Sequence, residues 1–239
     1  MAEHLKFKGG DPGAVKHGNF INYYQFNSAK NRLELLPLDI WNVNRDRNYI
    51  CLDIGCNSGV LTQELFKFVS GCLPGGSSCH ILGVDLDPVL IERADRANDF
   101  PQNVTYRCVD YMQDTEQMVP QFLQWWGRAY FDATFCFAVT MWIHLNHGDE
   151  GLRRFLVGIS HQTRLLIVEP QPWKCYRSAV RRLRRSGEEF PEFAKLQLRG
   201  DVTQVIEDIL LNECNLTRVN TETHCTSWGR KLLIFKNTR

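Results

Sequence analysis

A doubly wound α/β fold built on a mostly parallel seven-stranded sheet is the class this sequence predicts, and three observations predict it. Short apolar runs alternate with segments of helical periodicity along most of the chain. Glycine- and acid-bearing turns follow the first two of those runs, at Asp53–Gly59 and Val84–Pro88. Near the C-terminus the alternation gives way to two strand-like runs with no helix between them. The 239 residues, 44% hydrophobic and 23% charged, suit one globular domain over 1–239 with a full core, and they exclude disordered and collagen-like classes.

The elements follow in order. Residues 1–17, with Lys6, Lys8, Gly9, Gly10, Asp11 and Pro12, read as a flexible polar lead-in without a secretory leader, so a cytoplasmic protein is expected. Residues 18–48, with Phe20, Tyr23, Tyr24 and Phe26 before a helix-like Ala29–Leu36 stopped by Pro37, read as an N-terminal cap over a site. Tyr49–Ile54 is the first strand and Ser58–Phe68 its helix, with Val60, Leu61, Leu65 and Phe68 at helical spacing. The unit recurs as Ile81–Val84 before a helix opening at Pro88, and as Val104–Val109 before Thr115–Trp126. Phe131–Val139 then precedes a helix over Gly151–Ile159, and Leu165–Val168 precedes Ser178–Arg185. Such alternation implies parallel strands joined by right-handed crossovers. Val202–Leu211 reads as a last helix, and Leu216–Val219 with Lys231–Phe235 as a hairpin that closes the sheet.

Composition bounds the partners. A net charge of +1 gives no long-range attraction for polyanions, so nucleic-acid affinity must come from a local patch. Nine cysteines without a CxxC pair fit a reduced compartment, with Cys51, Cys108 and Cys136 reading as packing residues. No apolar run approaches the roughly 20 residues of a bilayer span, so no membrane is expected. His144 and His147 lack a third ligand at suitable spacing, so no metal is expected either.

The cofactor signal lies at the strand ends. In Asp53-Ile54-Gly55-Cys56-Asn57-Ser58-Gly59 the glycines admit close approach of a ligand to the backbone, and the acid favours a cationic group. About 30 residues on, Asp85 and Leu86 end the second strand, where an acid can accept from both hydroxyls of a ribose. Three phosphate-cradling glycines in G-x-G-x-x-G order are missing. S-adenosylmethionine, with an ammonium and a sulfonium but no phosphate, suits this acidic turn. Asp110-Tyr111, after the third strand, is placed to meet an adenine.

The substrate signal lies in two segments read as loops, Thr140–Asp149 after the fourth strand and Val168–Trp173 after the fifth. His144 reads either as a phosphate contact or as a satisfied loop histidine, and Trp142 either as packing or as a base-stacking ring. Arg177, Arg181, Arg184 and Arg185 share one helical face that starts near Trp173 and Lys174; this stripe is a polyphosphate track or a solvated face.

With those segments the chain resembles the bicoid-interacting-protein family of RNA methyltransferases, which includes the 7SK methylphosphate capping enzyme. The resemblance runs from about Gly18-Asn19-Phe20 to Leu232–Phe235, and its most specific pieces are Asp53–Gly59, Met141–Asp149 and Val168–Arg177. Met-Trp-Ile-His-Leu-Asn-His-Gly-Asp at 141–149 is similar to the shorter members, the RNA 5′-monophosphate methyltransferases. His224-Cys225 departs from the family's approach to Thr226-Ser227-Trp228. The resemblance implies a Rossmann-like class I methyltransferase. It implies that Arg32, Asn57, Asp85, Asp110 and Tyr111, with the loop around Phe137, contact the cofactor, and that Tyr23 folds over cofactor and substrate. It further implies methylation of a 5′ monophosphate on small RNAs such as histidine transfer RNA or microRNA precursors.

The expected chemistry is in-line attack of a phosphate oxygen on the sulfonium methyl. A terminal monophosphate, with a second pKa near ~6, needs no dedicated base. His144, Asn146, Gln171 and Lys174 are the expected groups that orient the phosphate, Tyr23 the lid, Trp173 and the arginine stripe the RNA contacts, and the enzyme a monomer. The competing readings are a capping methyltransferase for the γ-phosphate of 5′-triphosphates, a methyltransferase for small molecules or proteins, and a non-catalytic RNA-binding module on the same scaffold.

Overall fold

A computed structural model describes residues 16–41, 47–113, 118–219 and 225–238. Its sheet grows from strands that read as uninterrupted apolar runs because both of their faces are covered. In β1 (Tyr49–Ile54) all six residues are buried, and in β4 (Phe131–Phe137) all seven. Around them lie β2 (Cys79–Asp85), β3 (Val104–Cys108) and β5 (Thr163–Glu169), with β6 (Thr217–Arg218) and β7 (Leu233–Lys236) as the closing hairpin. The order is β3-β2-β1-β4-β5-β7-β6, parallel except that β7 runs antiparallel to both β5 and β6. The doubly wound seven-stranded sheet read from the sequence is therefore the one observed.

Side chains alternate across the sheet and build two cores. Ile50, Leu52 and Ile54 join Leu82, Val84, Leu166 and Val168 on one face, while Tyr49 and Cys51 join Ile81, Ala133, Phe135 and Ile167 on the other. The first face is covered by α5 (Met118–Trp125), α6 (Thr140–His161), α7 (Trp173–Arg185) and α8 (Val202–Asp208), which ends in a π-turn over Ile209–Glu213. The second is covered by α2 (Ala29–Leu33) and α3 (Val60–Cys72), through Leu61, Leu65 and Val69, and by Leu36 and Trp41. α4 (Pro88–Arg96) packs Ile91 and Ala94 on Val104 and Tyr106, its start set by Pro88 and by Asp87, whose Oδ1 accepts from the Val89 N–H at 2.8 Å. A short α1 (Tyr23–Phe26) precedes α2.

β1 pairs with β2 on one side and β4 on the other, so the strand order reverses at β1. Open α/β sheets bind ligands in the crevice at such a reversal, outside the carboxyl ends of the strands.

Two expectations are corrected. Thr140–Asp149 is the first part of α6, a 22-residue helix broken at Gly148, where φ is 70° and ψ −173°. Met141, Ile143, His144 and Leu145 are buried there, and core packing overrides a composition that suggests a loop. α7 begins at Trp173 rather than Ser178. Among earlier readings, Thr115 at the start of a helix, most of the 1–17 lead-in, positions 42–46 of the cap and His224 lie outside the described residues.

Candidate functional site

Two adjoining cavities open at the strand ends, about 390 Å³ and 580 Å³ in volume, and Tyr23, Ala138 and Trp142 line both. The smaller, the strand-end cavity, is reached by Gly55, Asn57, Asp85, Leu86, Asp110, Tyr111 and Phe137. Its geometry begins in the turn after β1. Gly55 has φ 75° and an added Cβ would lie 2.5 Å from Val139 Cγ2, so only glycine fits. Asn57, at φ 53°, turns its N–H to Asp85 Oδ2 at 2.9 Å, and the Asp87 N–H donates to Oδ1 at 3.0 Å. Burial nevertheless pushes the Asp85 carboxyl up to about 6.

A strap of residues 16–20 crosses the mouth of this cavity. Asn19 Nδ2 donates to Asp87 Oδ2 at 2.6 Å, Asn57 Nδ2 to the Phe20 carbonyl at 2.9 Å, and Asn146 Nδ2 to the Lys16 carbonyl at 2.9 Å. The strap thus joins the turns after β1 and β2 to α6.

Behind Tyr23 lies a buried ion cluster. Glu169, fully buried at the end of β5, accepts from Arg32 Nε at 2.5 Å and Nη2 at 3.0 Å, and from Arg230 Nη1 at 2.8 Å. Both arginines also donate to the Tyr23 hydroxyl, Arg32 at 2.7 Å and Arg230 at 3.2 Å. Burial works against charge on either guanidinium, but Tyr23 and Glu169 outweigh it and hold both pKa values above the ordinary arginine range. The Arg32 Cζ sits 5.3 Å from the Tyr23 ring centroid and 5.2 Å from that of Phe137, and its Nη1 is buried without a hydrogen-bond partner.

The larger cavity is basic. Lys174, Arg182 and Arg230 line it together with Gln171, Phe20 and Phe26, and no carboxylate does among the described residues. Lys174, Ser178 and Arg182 follow one another at i, i+4 and i+8, so a single strip of α7 faces the cavity. Gln171 is fixed in its wall: Nε2 donates to the Ala138 carbonyl at 2.6 Å, and Oε1 accepts from the Met141 N–H at 3.2 Å.

Several expected site residues stand elsewhere. His144 is fully buried, its Nδ1 3.1 Å from the Tyr176 hydroxyl and its Nε2 2.7 Å from Asp149 Oδ1; it lines neither cavity. It ties α6 to α7 and, through Asp149, to the backbone N–H groups of Gln197 and Leu198, and burial lowers its pKa. Trp173 is half-buried and stacks on Tyr176 and Phe193 at 4.9 and 5.6 Å between centroids; it lines neither cavity. Cys56 is buried against α4, and Asp53 is buried with its Oδ2 accepting from Thr62 Oγ1 at 2.7 Å; neither lines the strand-end cavity. Burial pushes Asp53 up to about 6. Arg177, Arg181, Arg184 and Arg185 are exposed, Arg184 pairing with Glu189 at 3.1 Å, and the cations that α7 turns to the cavity are Lys174 and Arg182. Asn146 lines the strand-end cavity, with Oδ1 buried and unpartnered.

Sequence reasoning missed Arg182, Arg230 and His147. His147 lines the strand-end cavity beside Asn146, and burial lowers its pKa. Arg182 was findable, since it lies two turns beyond Lys174; Arg230 was not, because its place depends on the hairpin returning beside β5.

Comparison with known proteins supplies a context for this geometry. Residues 131–237 match the family model described as Bicoid-interacting protein 3 (Bin3). The RNA 5′-monophosphate methyltransferase of Bos taurus is 42% identical over 95% of this chain and 82% of its own length. The pre-miRNA 5′-monophosphate methyltransferase of Xenopus laevis is 42% identical over 96% of this chain and 95% of its own. Among solved structures, the N-methyltransferase NodS from Bradyrhizobium japonicum, in complex with S-adenosyl-L-homocysteine, superposes with a TM-score of 0.59 at 16% identity over 91% of each chain, a likeness of fold.

Proposed function

The chain belongs to the bicoid-interacting protein 3 family, and from that membership we propose that it is an S-adenosylmethionine-dependent methyltransferase acting on the 5′-monophosphate of RNA. The observation that carries the reading is the partition of charge across one cleft. Asp85 and Asp110 outnumber the one lysine, Lys16, that lines the strand-end cavity with them; Lys174, Arg182 and Arg230 line its neighbour; Tyr23 and Trp142 stand where the two meet.

S-adenosylmethionine fits the strand-end cavity by size and by donor set. A volume of 390 Å³ is within the range of small-ligand sites. The Asp85 carboxylate accepts two backbone N–H groups, which leaves acceptor capacity for ribose hydroxyls. Arg32 lines neither cavity; it stands behind Tyr23, whose hydroxyl it holds at 2.7 Å, and its buried Nη1 has no hydrogen-bond partner. When bound, the cofactor supplies an electrophilic methyl group on a sulfonium.

The chain's own part is to bind, orient and exclude water. A terminal phosphate with a second pKa near ~6 is largely dianionic at neutral pH, so no side chain has to take its proton. Lys174, Arg182 and Arg230 hold the phosphate by charge-assisted hydrogen bonds, and holding two reactants in a near-attack geometry removes several kcal/mol of barrier. Glu169 keeps Arg230 in place and offsets part of its charge, which leaves the attacking oxygen less tightly held than a bare arginine would. The Tyr23 hydroxyl, already accepting from two guanidinium groups, has its own proton free to turn toward an anion.

The test is transfer of a labelled methyl group from S-adenosylmethionine to matched RNAs ending in 5′ hydroxyl, monophosphate or triphosphate. Label on the monophosphate alone is expected. No label on any of the three would refute the enzyme, and preference for the triphosphate would make it a capping methyltransferase instead.

A further inference from the structure

The basic cavity is larger than a phosphate requires. Its 580 Å³ lies in the range, roughly 300–1,000 Å³, of pockets that take whole small ligands. Its lining is also mixed in character. Three cations line it together with two phenylalanines, Phe20 and Phe26, and with Asn22 and Asn27. Phe20 is already engaged: its ring carries the Arg182 guanidinium at 5.3 Å and meets Trp142 edge-on at 6.2 Å. Phe26 differs. It belongs to α1, none of whose residues is buried, and 76% of it is exposed. Trp125 is exposed to a similar degree but lines neither cavity.

A large aromatic face left in water beside a cationic wall calls for a flat, apolar-faced partner carrying an anion. The first nucleotide of a 5′-phosphorylated RNA is such a partner, because its base is tethered to the phosphate that the cations would hold. We propose that Phe26 is the stacking platform for the base of that first nucleotide, an inference that rests on the function proposed above. Stacking accepts any base, since every base has a π-face, so the platform makes the site depend on the presence of a base rather than on its identity. A strand must be unpaired at that nucleotide for its base to reach the ring, so Phe26 also selects for RNAs whose 5′ end is single-stranded or frays.

The probe is a 5′-phosphorylated RNA oligonucleotide with 2-aminopurine as its first nucleotide, beside a matched RNA whose first ribose lacks a base. Wild-type protein should quench the 2-aminopurine on binding, Phe26→Trp should keep the quench, and Phe26→Ala should lose it. In methyl transfer, Phe26→Ala should raise KM about ten-fold with kcat little changed, as loss of one base–aromatic stack implies. On the RNA without a first base, wild type and Phe26→Ala should have the same KM. Thermal unfolding of Phe26→Ala should match wild type, because the side chain is exposed. An unchanged quench and KM in Phe26→Ala, or an equal loss on the RNA lacking the base, overturns the proposal. Methyl transfer by wild type without any quench overturns it while leaving the enzyme reading intact. Quenching without transfer refutes the enzyme and leaves the platform.

Discussion

Glu169 is the residue on which most of the cleft's polar structure converges. It is fully buried and answers two guanidinium groups, Arg32 at 1% side-chain exposure and Arg230 at 15%. Removing one partner from a buried pair leaves an uncompensated charge, which costs about 3–5 kcal/mol. Glu169→Ala should therefore lower the unfolding free energy by about that much in denaturant titrations, while Arg230→Met, which leaves Glu169 paired with Arg32, should cost less. A loss below about 1 kcal/mol for Glu169→Ala would put the cluster in water. Asp85 makes a second prediction. Its carboxyl, ordinarily near 3.8, stands at about 6 in the folded chain, as does that of Asp53. A group raised on folding stabilises the ligand-free protein fully below the lower value, and that contribution is lost as pH rises through the upper one. Ribose hydroxyls donate to the ionised form, so binding pulls in the opposite direction. Calorimetry with S-adenosylhomocysteine should show affinity rising between pH 5 and 7, and Asp85→Asn should bind more weakly with a flatter profile.

The strap of residues 16–20 and the helix α6 form the unit that closes the strand-end cavity, and they meet at Gly18. Its φ is +74°, and an added Cβ would fall 2.0 Å from Trp142 Cε2, overlapping the indole ring. Gly18→Ala should therefore displace the strap from Trp142 and weaken S-adenosylhomocysteine binding by about ten-fold, at a cost to unfolding free energy of only about 1 kcal/mol, because no core residue moves. A variant that binds like wild type would show that the strap does not close the cavity. These same two elements mark how far the sequence could be read. The strands, their order of appearance and the acid–glycine turns were legible because short continuous apolar runs bounded by left-handed turns leave local signatures. The helical nature of Thr140–His147 was not. Val139 at its N-cap makes no side-chain cap, and Gly148-Asp149 is a turn signal that the structure uses to kink a helix. His144 looked like a ligand-contacting residue because nothing local shows that Tyr176 and Asp149 occupy both of its nitrogens. Arg182 and Arg230 needed the assembled fold, in which α7 turns one strip to the cavity and the C-terminal hairpin delivers a guanidinium beside β5.

Across the whole molecule, 28 basic residues against 27 acidic ones give almost no net field, so RNA has to be held by where charge is placed rather than by how much there is. Two placements are available. Lys174, Arg182 and Arg230 line the basic cavity, the wall proposed for the terminal phosphate; Arg177 and Arg181 stand exposed on the neighbouring strip of α7, the surface open to the nucleotides that follow. Salt separates the two, because each phosphate contact on a single strand contributes about 0.7 to the slope of log K against log salt. Lys174→Ala should flatten that slope by about 0.7 for a 5′-phosphorylated dinucleotide and for a long RNA alike. Arg177→Ala with Arg181→Ala should leave the dinucleotide slope unchanged and flatten that of the long RNA by about 1.4. Anisotropy titrations from 50 to 300 mM salt read both. If the double variant leaves the long-RNA slope untouched, the stripe is a solvated face and the body of the RNA takes another path from the cleft. If Lys174→Ala leaves the dinucleotide slope untouched, the terminal phosphate is not held by that wall of the basic cavity.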